Sequence, residues 1–206
     1  MAKKWTNENL PGALHFVTGN AFGRKPVFTQ EQNCLAFMEE LQSLREKQKC
    51  KLIAFVLMPD HFHLTLNPRT GDIQYATGIL KSLSAKRLVG DAQVKYFWNG
   101  NENQVWQESF KALPLWSGWM IRQKIDYTHA NPVRASLVQR AEDYRWTSFR
   151  AFYREERDPM LQVDKDWWWP DDGEKLHAAM KERQKLADSE FNEWRRNKVS
   201  GGKPPS

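Results

Sequence analysis

Cysteine is scarce: of 206 residues only Cys34 and Cys50 are cysteines. Two thiols so placed make neither a disulfide framework nor the spacing of a zinc site, so a reducing, cytoplasmic setting is expected. No apolar run approaches the roughly 20 residues that a membrane-spanning helix needs, so no membrane partner is expected. The first ten residues, MAKKWTNENL, lack the apolar stretch of a secretory signal. No internal repeat and no low-complexity tract occurs. What is present is 40% hydrophobic and 27% charged residues. That is enough apolar material for a core and too balanced a mixture for general disorder. The length fits one domain, or one domain with an appendage.

The formal net charge is +6. Its distribution is uneven. Residues 1–150 carry 20 Lys and Arg against 13 Asp and Glu, while residues 151–206 carry 11 against 12. A basic domain of this size points to a polyanion, nucleic acid foremost. Charge alone equally fits a basic protein with no such partner.

Along the chain, residues 13–18 read as a short strand followed by a turn at Gly19 and Gly23. Residues 30–48 read as an amphipathic helix with Leu35, Met38, Leu41 and Leu44 on its apolar side. Lys51–Met58 is an apolar run with the length of a buried strand, and His61–Leu66 alternates like a second. Only Pro59-Asp60 separates them, so a hairpin is expected. Asp72–Val89 reads as a helix with Ile73, Ala76, Ile79, Leu80, Leu83 and Leu88 inward, residues 90–103 as a loop and Gln104–Trp106 as a short strand. A third helix over Trp116–Asn131 is expected to stop at Pro132. The pattern is α+β, an antiparallel sheet with helices on one face. Beyond Phe152 the character changes. Residues 158–173 read as an irregular loop with Trp167-Trp168-Trp169 as a latch, Glu174–Asn197 as a C-terminal helix, and Gly201–Ser206 as a disordered end.

Two features carry chemistry. In Met58-Pro59-Asp60-His61-Phe62-His63, a strand would set His61 and His63 on the same face, roughly 6.5–7 Å apart. Two imidazoles so placed can hold one divalent ion; the plainer reading is two half-exposed histidines. In Lys124-Ile125-Asp126-Tyr127-Thr128-His129-Ala130-Asn131-Pro132, a helix would make Tyr127 and Asn131 i, i+4 neighbours. A phenol beside a metal-polarised phosphate is a covalent nucleophile, and an amide oxygen is a hard ligand. The plainer reading is a helix tyrosine with a wet hydroxyl. Asp60 reads either as a turn residue or as a partner that orients a histidine. His15, His129 and His177 read as surface or capping residues.

Taken together, these segments resemble the single-tyrosine HUH transposases, and among them the REP-associated tyrosine transposases (REP, repetitive extragenic palindrome). The resemblance runs from about Gly12 to Phe152. It takes in Phe16-Val17-Thr18 with Arg24 and Phe28, Ala54 to Leu64 around the histidine pair, and Leu80-Lys81-Ser82. It continues through Val105-Trp106-Gln107-Glu108-Ser109-Phe110, Tyr127 to Val138, and Glu142-Asp143-Tyr144-Arg145-Trp146. Departures exist: Gly19-Asn20 follows Thr18 where the family often has Arg, and Ser136 replaces a usual Gly.

The resemblance implies a ferredoxin-like domain over residues 1–152; residues 153–206, which it does not cover, read as a C-terminal helical extension. It implies a single-stranded DNA endonuclease and strand transferase acting at hairpins. His61, His63 and Asn131 would hold Mg2+ or Mn2+, and Tyr127 would attack the phosphodiester to leave a 5′-phosphotyrosine. Arg24, Lys81, Lys86, Arg87, Lys111, Arg122, Lys124 and Arg134 are the candidate phosphate contacts. A monomer or a homodimer is expected. The rival readings are a domesticated module that grips palindromes without cutting, and a metal-dependent hydrolase that uses water in place of Tyr127.

Overall fold

The computed structural model describes residues 7–90, 104–156 and 161–166, with positions 181, 182, 185, 189, 192 and 193. Its elements run β1 (Leu14–Asn20), α1 (Glu31–Lys47), β2 (Cys50–Met58), β3 (His61–Pro68), α2 (Ile73–Gly90), β4 (Lys111–Leu115), α3 (Gly118–Arg134) and the short α4 (Phe149–Tyr153). The four strands form one antiparallel sheet in the order β2-β3-β1-β4. That is the βαββαβ arrangement of a ferredoxin-like fold, as the motifs implied.

The β2–β3 hairpin closes over Pro59-Asp60, with Met58 opposite His61. β4 was not expected at its position. Its sequence, Lys-Ala-Leu-Pro-Leu, contains Pro114, which a central strand would exclude and an edge strand tolerates. The expected strand at 104–106 is reduced to a single bridge, Ala21 to Trp106.

Side-chain alternation divides the sheet into two faces, and here the expectation of helices on one face is corrected. Val17, Leu52, Phe55, Leu57, Phe62, Leu64 and Leu66 share a buried cluster with α1 and α2. Leu14, Phe16, Ile53, Ala54 and Leu115 instead pack under Ile121 and Ile125 of α3. The strands are apolar on both sides, so each face needs a cover. α3 provides the second one.

The α1 stripe keeps Met38, Leu41 and Leu44 from the expected set and gains Cys34 and Phe37 in place of Leu35. Cys34, Phe37, Met38, Leu41 and Leu44 are buried, whereas Leu35 is only half-buried. In α2, Leu83 is 41% exposed rather than inward. α3 carries Pro132 inside its last turn and ends at Arg134. A proline there forfeits a single backbone bond, so the helix runs slightly past it.

Residues 161–166 follow no regular element, yet they belong to the core. Leu161 is buried in the α1/α2 cluster. The Asp164 carboxylate takes two bonds from the Arg45 guanidinium, at 2.9 and 2.7 Å, and one from Leu52 N–H at 2.9 Å. The segment thereby covers the outer edge of β2. Six described positions between 181 and 193 are helical, in keeping with the expected C-terminal helix. The expected loop at 91–103, Trp167–Trp169, His177 and the end at 201–206 lie outside the described residues.

His15 and His129 are both buried, not on the surface. The His15 ring nitrogens lie 3.1 and 3.2 Å from the carbonyls of Ala13 and Glu8, which places the N-terminal segment against β1. His129 Nε2 lies 2.8 Å from Ser148 Oγ, and burial holds its pKa down to about 4. The helical half-turn that takes His129 away from Tyr127 turns it into the interior.

Candidate active site

The site forms where the sheet face under α3 meets the open end of β1 and β3. Antiparallel register sets Thr18 opposite His63 and Asn20 opposite His61. By strand alternation, Phe16, Thr18, His61 and His63 all point toward α3. The two imidazole rings lie with centroids 4.9 Å apart. Phe16 stacks on His63 at 5.2 Å and fixes its plane. Tyr127 of α3 closes the group, its ring 5.2 Å from His63 and 5.9 Å from Phe16.

Each histidine is held through Nδ1. His61 Nδ1 is 2.6 Å from Asp60 Oδ1, and Asp60 Oδ2 is in turn 2.8 Å from Arg24 Nε. His63 Nδ1 is 2.8 Å from Thr18 Oγ1. Burial lowers the pKa of both rings. For His61 the neighbouring Asp60 opposes that effect. For His63, burial together with His61, Arg24 and Lys124 lowers the value to about 3. Both imidazoles are therefore neutral at pH 7. Nδ1–H of His61 donates to the Asp60 carboxylate, Nδ1 of His63 is bonded to the Thr18 hydroxyl, and neither Nε2 has a protein partner among the described residues. Two neutral imidazoles with backed Nδ1 atoms could supply two donors to a divalent ion, with outer-shell support from Asp60 and Thr18. The described residues hold no cluster of three or more His, Cys, Asp or Glu side chains that could bind a metal. A third protein ligand from them would thus have to be an amide, hydroxyl or carbonyl oxygen.

Asn131 lies one turn beyond Tyr127, and its amide nitrogen donates to the Tyr127 carbonyl at 2.8 Å. An Asn side chain reaches its own i−4 carbonyl easily, and Asn131 lines neither of the clefts beside Tyr127. The first cleft, about 430 Å3, contains His63, Thr18, Asn20, Gln107, Lys111 and Lys124 with Tyr127. The second, about 610 Å3, lies along α3 on the other side of Tyr127 and Lys124.

Four of the predicted basic residues converge on these clefts. Lys111 lines the first, Arg122 and Arg134 the second, and Lys124 both. The Lys124 ammonium sits over the Phe16 and Tyr127 rings at 5.2 and 5.7 Å, and burial lowers its pKa. The Arg134 guanidinium sits over Tyr127 at 5.3 Å. Arg24 is beside the histidines, but engaged with Asp60 and Asn20. Lys81 donates to the carbonyls of Gln107 and Glu108 at 2.6 and 2.9 Å and so anchors the rim of the first cleft. Arg87 is paired with Glu39 and Glu40 of α1, on the far side of the sheet. Lys86 is exposed on α2, away from both clefts.

The motif that contains Thr18 and Phe16 does not by itself assign either a role. The signal that would have given them one is parity: residues 16, 18 and 20 share a strand face, and that face meets the histidines. Gln107 reaches the first cleft from a segment with almost no regular structure, and only the tertiary fold could place it.

Several known proteins are similar to this chain. A Haemophilus influenzae protein assigned as a REP-associated tyrosine transposase is 27% identical over 112 residues, half of this chain. The chain spans 64% of that relative's length. The solved structure of a REP-associated tyrosine transposase bound to a REP hairpin superposes with a TM-score of 0.59 at 19% identity, covering 79% of this chain and 92% of the other. A transposase structure from Deinococcus radiodurans gives 0.44 at 20% identity, covering 62% of this chain and 94% of that one. The first superposition shows the fold expected from the motifs. The model of the IS200-like transposases matches residues 13–117, just over half of the chain, from the start of the sheet to the residue before α3. The chain belongs to the IS200-like transposase family.

Proposed function

We propose that this protein nicks and rejoins single-stranded DNA beside hairpins, with Tyr127 as the nucleophile. The observation that carries this reading is the meeting of Tyr127 with two histidines whose Nδ1 atoms are both backed and whose Nε2 atoms have no protein partner among the described residues. The sequence match supplies the histidine strand but ends before α3, so the placing of Tyr127 over His63 is independent support.

His61 and His63 would hold Mg2+ or Mn2+, with the Asn131 amide oxygen as the third protein ligand. Such an ion, when bound, polarises the scissile phosphate and offsets its developing charge. The remaining work falls to side chains. Tyr127 Oη attacks phosphorus, the bond from phosphorus to the 3′ oxygen breaks, and the phenol proton leaves as the released 3′-hydroxyl gains one. The product is a 5′-phosphotyrosine. One phosphoester replaces another, so rejoining needs no nucleotide triphosphate. Lys124 and Arg134, which flank the phenol, supply positive charge where the phosphate must sit. Lys111 and Arg122 extend that field along the strand.

Residues 1–152 form the nuclease unit in this reading and 153–206 an extension docked through Leu161 and Asp164. The REP hairpin in the related structure supports hairpin DNA as the partner here. A monomer or homodimer fits this arrangement. Among the described residues no helix is long and apolar enough to cross a membrane.

The test uses single-stranded hairpin oligonucleotides from the DNA flanking the gene, labelled at the 5′ or the 3′ end. They are incubated with Mn2+ or Mg2+ and resolved on denaturing gels. A metal-dependent protein adduct carrying only the 3′ label, absent from Tyr127→Phe and His61→Ala, is expected. Tight hairpin binding with no adduct under either metal would replace this reading with that of a non-cleaving palindrome-binding module.

A further inference from the structure

Residues 105–110 lead into β4 as a strap with almost no regular structure. Yet Gln107, Ser109 and Phe110 line the first cleft beside His63 and Tyr127, as does Lys111 at the start of β4. A backbone with so few ladder bonds needs other ties to keep a fixed position. At its start the strap is joined to the end of β1 and the residues after it. Phe22 N–H donates to the Val105 carbonyl at 2.8 Å, Gln107 N–H donates to the Asn20 carbonyl at 2.9 Å, and Trp106 bridges to Ala21. Trp106 is buried among the rings of Phe28, Phe37 and Phe62, and its indole N–H donates to Ser84 Oγ of α2 at 3.0 Å. At its end, the Asn7 amide donates to the Phe110 carbonyl at 3.1 Å and accepts from Ala112 N–H at 2.8 Å.

Lys81 fastens the middle. It stands three residues before Ser84 on α2, so the two share a face of that helix. An ammonium has three N–H donors. Lys81 gives two bonds to the carbonyls of Gln107 and Glu108, at 2.6 and 2.9 Å, and its charge lies 5.4 Å from the centre of the Phe110 ring. Lys81 itself lines neither cleft. A charge so engaged has little left for a phosphate, while two successive carbonyls gathered by one ammonium cannot drift apart. We propose that Lys81 is a positioning residue of the active site, reaching from the helix on the opposite face of the sheet to hold the wall of the first cleft at its working distance from Tyr127. Its charge in the sequence points to a phosphate contact; its bonds give it this other task. The proposal rests on the reading of Tyr127 as a nucleophile for single-stranded DNA, and adds that α2 bears on the rate without touching the substrate.

Lys81→Met keeps the stem and removes the ammonium, whereas Lys81→Arg keeps a charged donor. Hydrogen exchange of the free protein, read by mass spectrometry, should quicken over residues 105–110 in Lys81→Met and stay near native in Lys81→Arg. The hairpin oligonucleotides of the adduct assay, under single-turnover conditions, read the rate at saturating protein. That rate should fall about 10- to 100-fold in Lys81→Met, the scale of loss when a distant change misplaces a site by about 1 Å, and recover in part in Lys81→Arg. The salt dependence of affinity, measured in chelator by fluorescence anisotropy, should keep its native slope. A lost phosphate contact does the reverse: it lowers the slope by about one and leaves the saturated rate as it was. Thermal melts check folding. Ser84→Ala, which releases the Trp106 indole from α2, loosens the strap by a second route and replaces Lys81→Met if that variant does not fold.

Three results would each overturn the proposal: native exchange over residues 105–110 in Lys81→Met, a native rate at saturation, or a salt slope lowered by about one. The adduct assay on the native protein separates this from the larger reading. An adduct that forms at the native rate in Lys81→Met removes the positioning role and leaves the nuclease. No adduct from the native protein, with exchange over 105–110 still faster in Lys81→Met, removes the nuclease and leaves Lys81 as the anchor of the cleft wall.

Discussion

Thr18 Oγ1 lies 2.8 Å from Nδ1 of His63, directly across the β1–β3 pair. That contact occupies Nδ1, holds the ring plane and leaves Nε2 as the nitrogen without a protein partner among the described residues. Replacing Thr18 with Val keeps the shape and removes the oxygen. We expect Thr18→Val to bind Mn2+ about 10- to 100-fold more weakly, the usual effect of losing an outer-shell partner, and Thr18→Ser to recover most of it. Calorimetric titration of the metal, with no DNA present, checks this.

The partner of His61 is charged, and it is held in its turn by Arg24. The effects should therefore be graded. Asp60→Ala should weaken Mn2+ binding by about 10- to 100-fold, and Arg24→Ala by less, because Arg24 is exposed and acts one step removed. Equal losses in both variants would show that Arg24 has a direct role.

Gly19 lies on β1 against the ring of Phe62, and a Cβ placed there would sit 2.3 Å from Phe62 Cζ. Phe62 is fully buried among Phe37 and Trp106, so its ring has nowhere to go. Gly19→Ala should cost about 1–3 kcal/mol as overpacking. Urea denaturation, with Gly78→Ala as a control at a position where nothing lies within 4 Å, measures the difference.

Burial pushes the Cys34 thiol up to about 12, helped by nearby Glu31, and burial also raises that of Cys50. The unfolded thiols ionise near pH 9. The folded state thus holds its thiol protons where the unfolded state releases them. Stability from this source is complete below pH 9 and is lost as pH rises toward 12. Native protein at pH 8 should leave both thiols unreactive toward a disulfide reagent, and urea should expose both together. Rapid labelling of either thiol without denaturant would contradict this.

Asp164 joins the extension to the domain through Arg45 and Leu52 N–H. Asp164→Ala leaves a guanidinium and an edge N–H without their partner. It should destabilise the protein by about 1–3 kcal/mol and make the chain after residue 156 more open to proteases. Limited proteolysis followed by mass measurement reads the second effect.

Much of this protein is determined by the sequence alone. Two elements of fixed period, the alternating strand at His61–Leu66 and the helical run of α3, set His61 and His63 on one face and Tyr127 on a polar stripe. Local geometry is enough for that, because strand and helix periods are properties of the backbone. What the sequence could not show is which faces meet. Only the tertiary structure decided that α3 covers the opposite side of the sheet from α1 and α2, that Pro114 lies in an edge strand, and that His129 turns inward. It alone decided that Arg87 spends its charge on α1 while Lys124 and Arg134 close around Tyr127. Charge and exposure have no period along the chain. They depend on what packs alongside, and residues 45 and 164 or 18 and 63 become neighbours only when the sheet has formed.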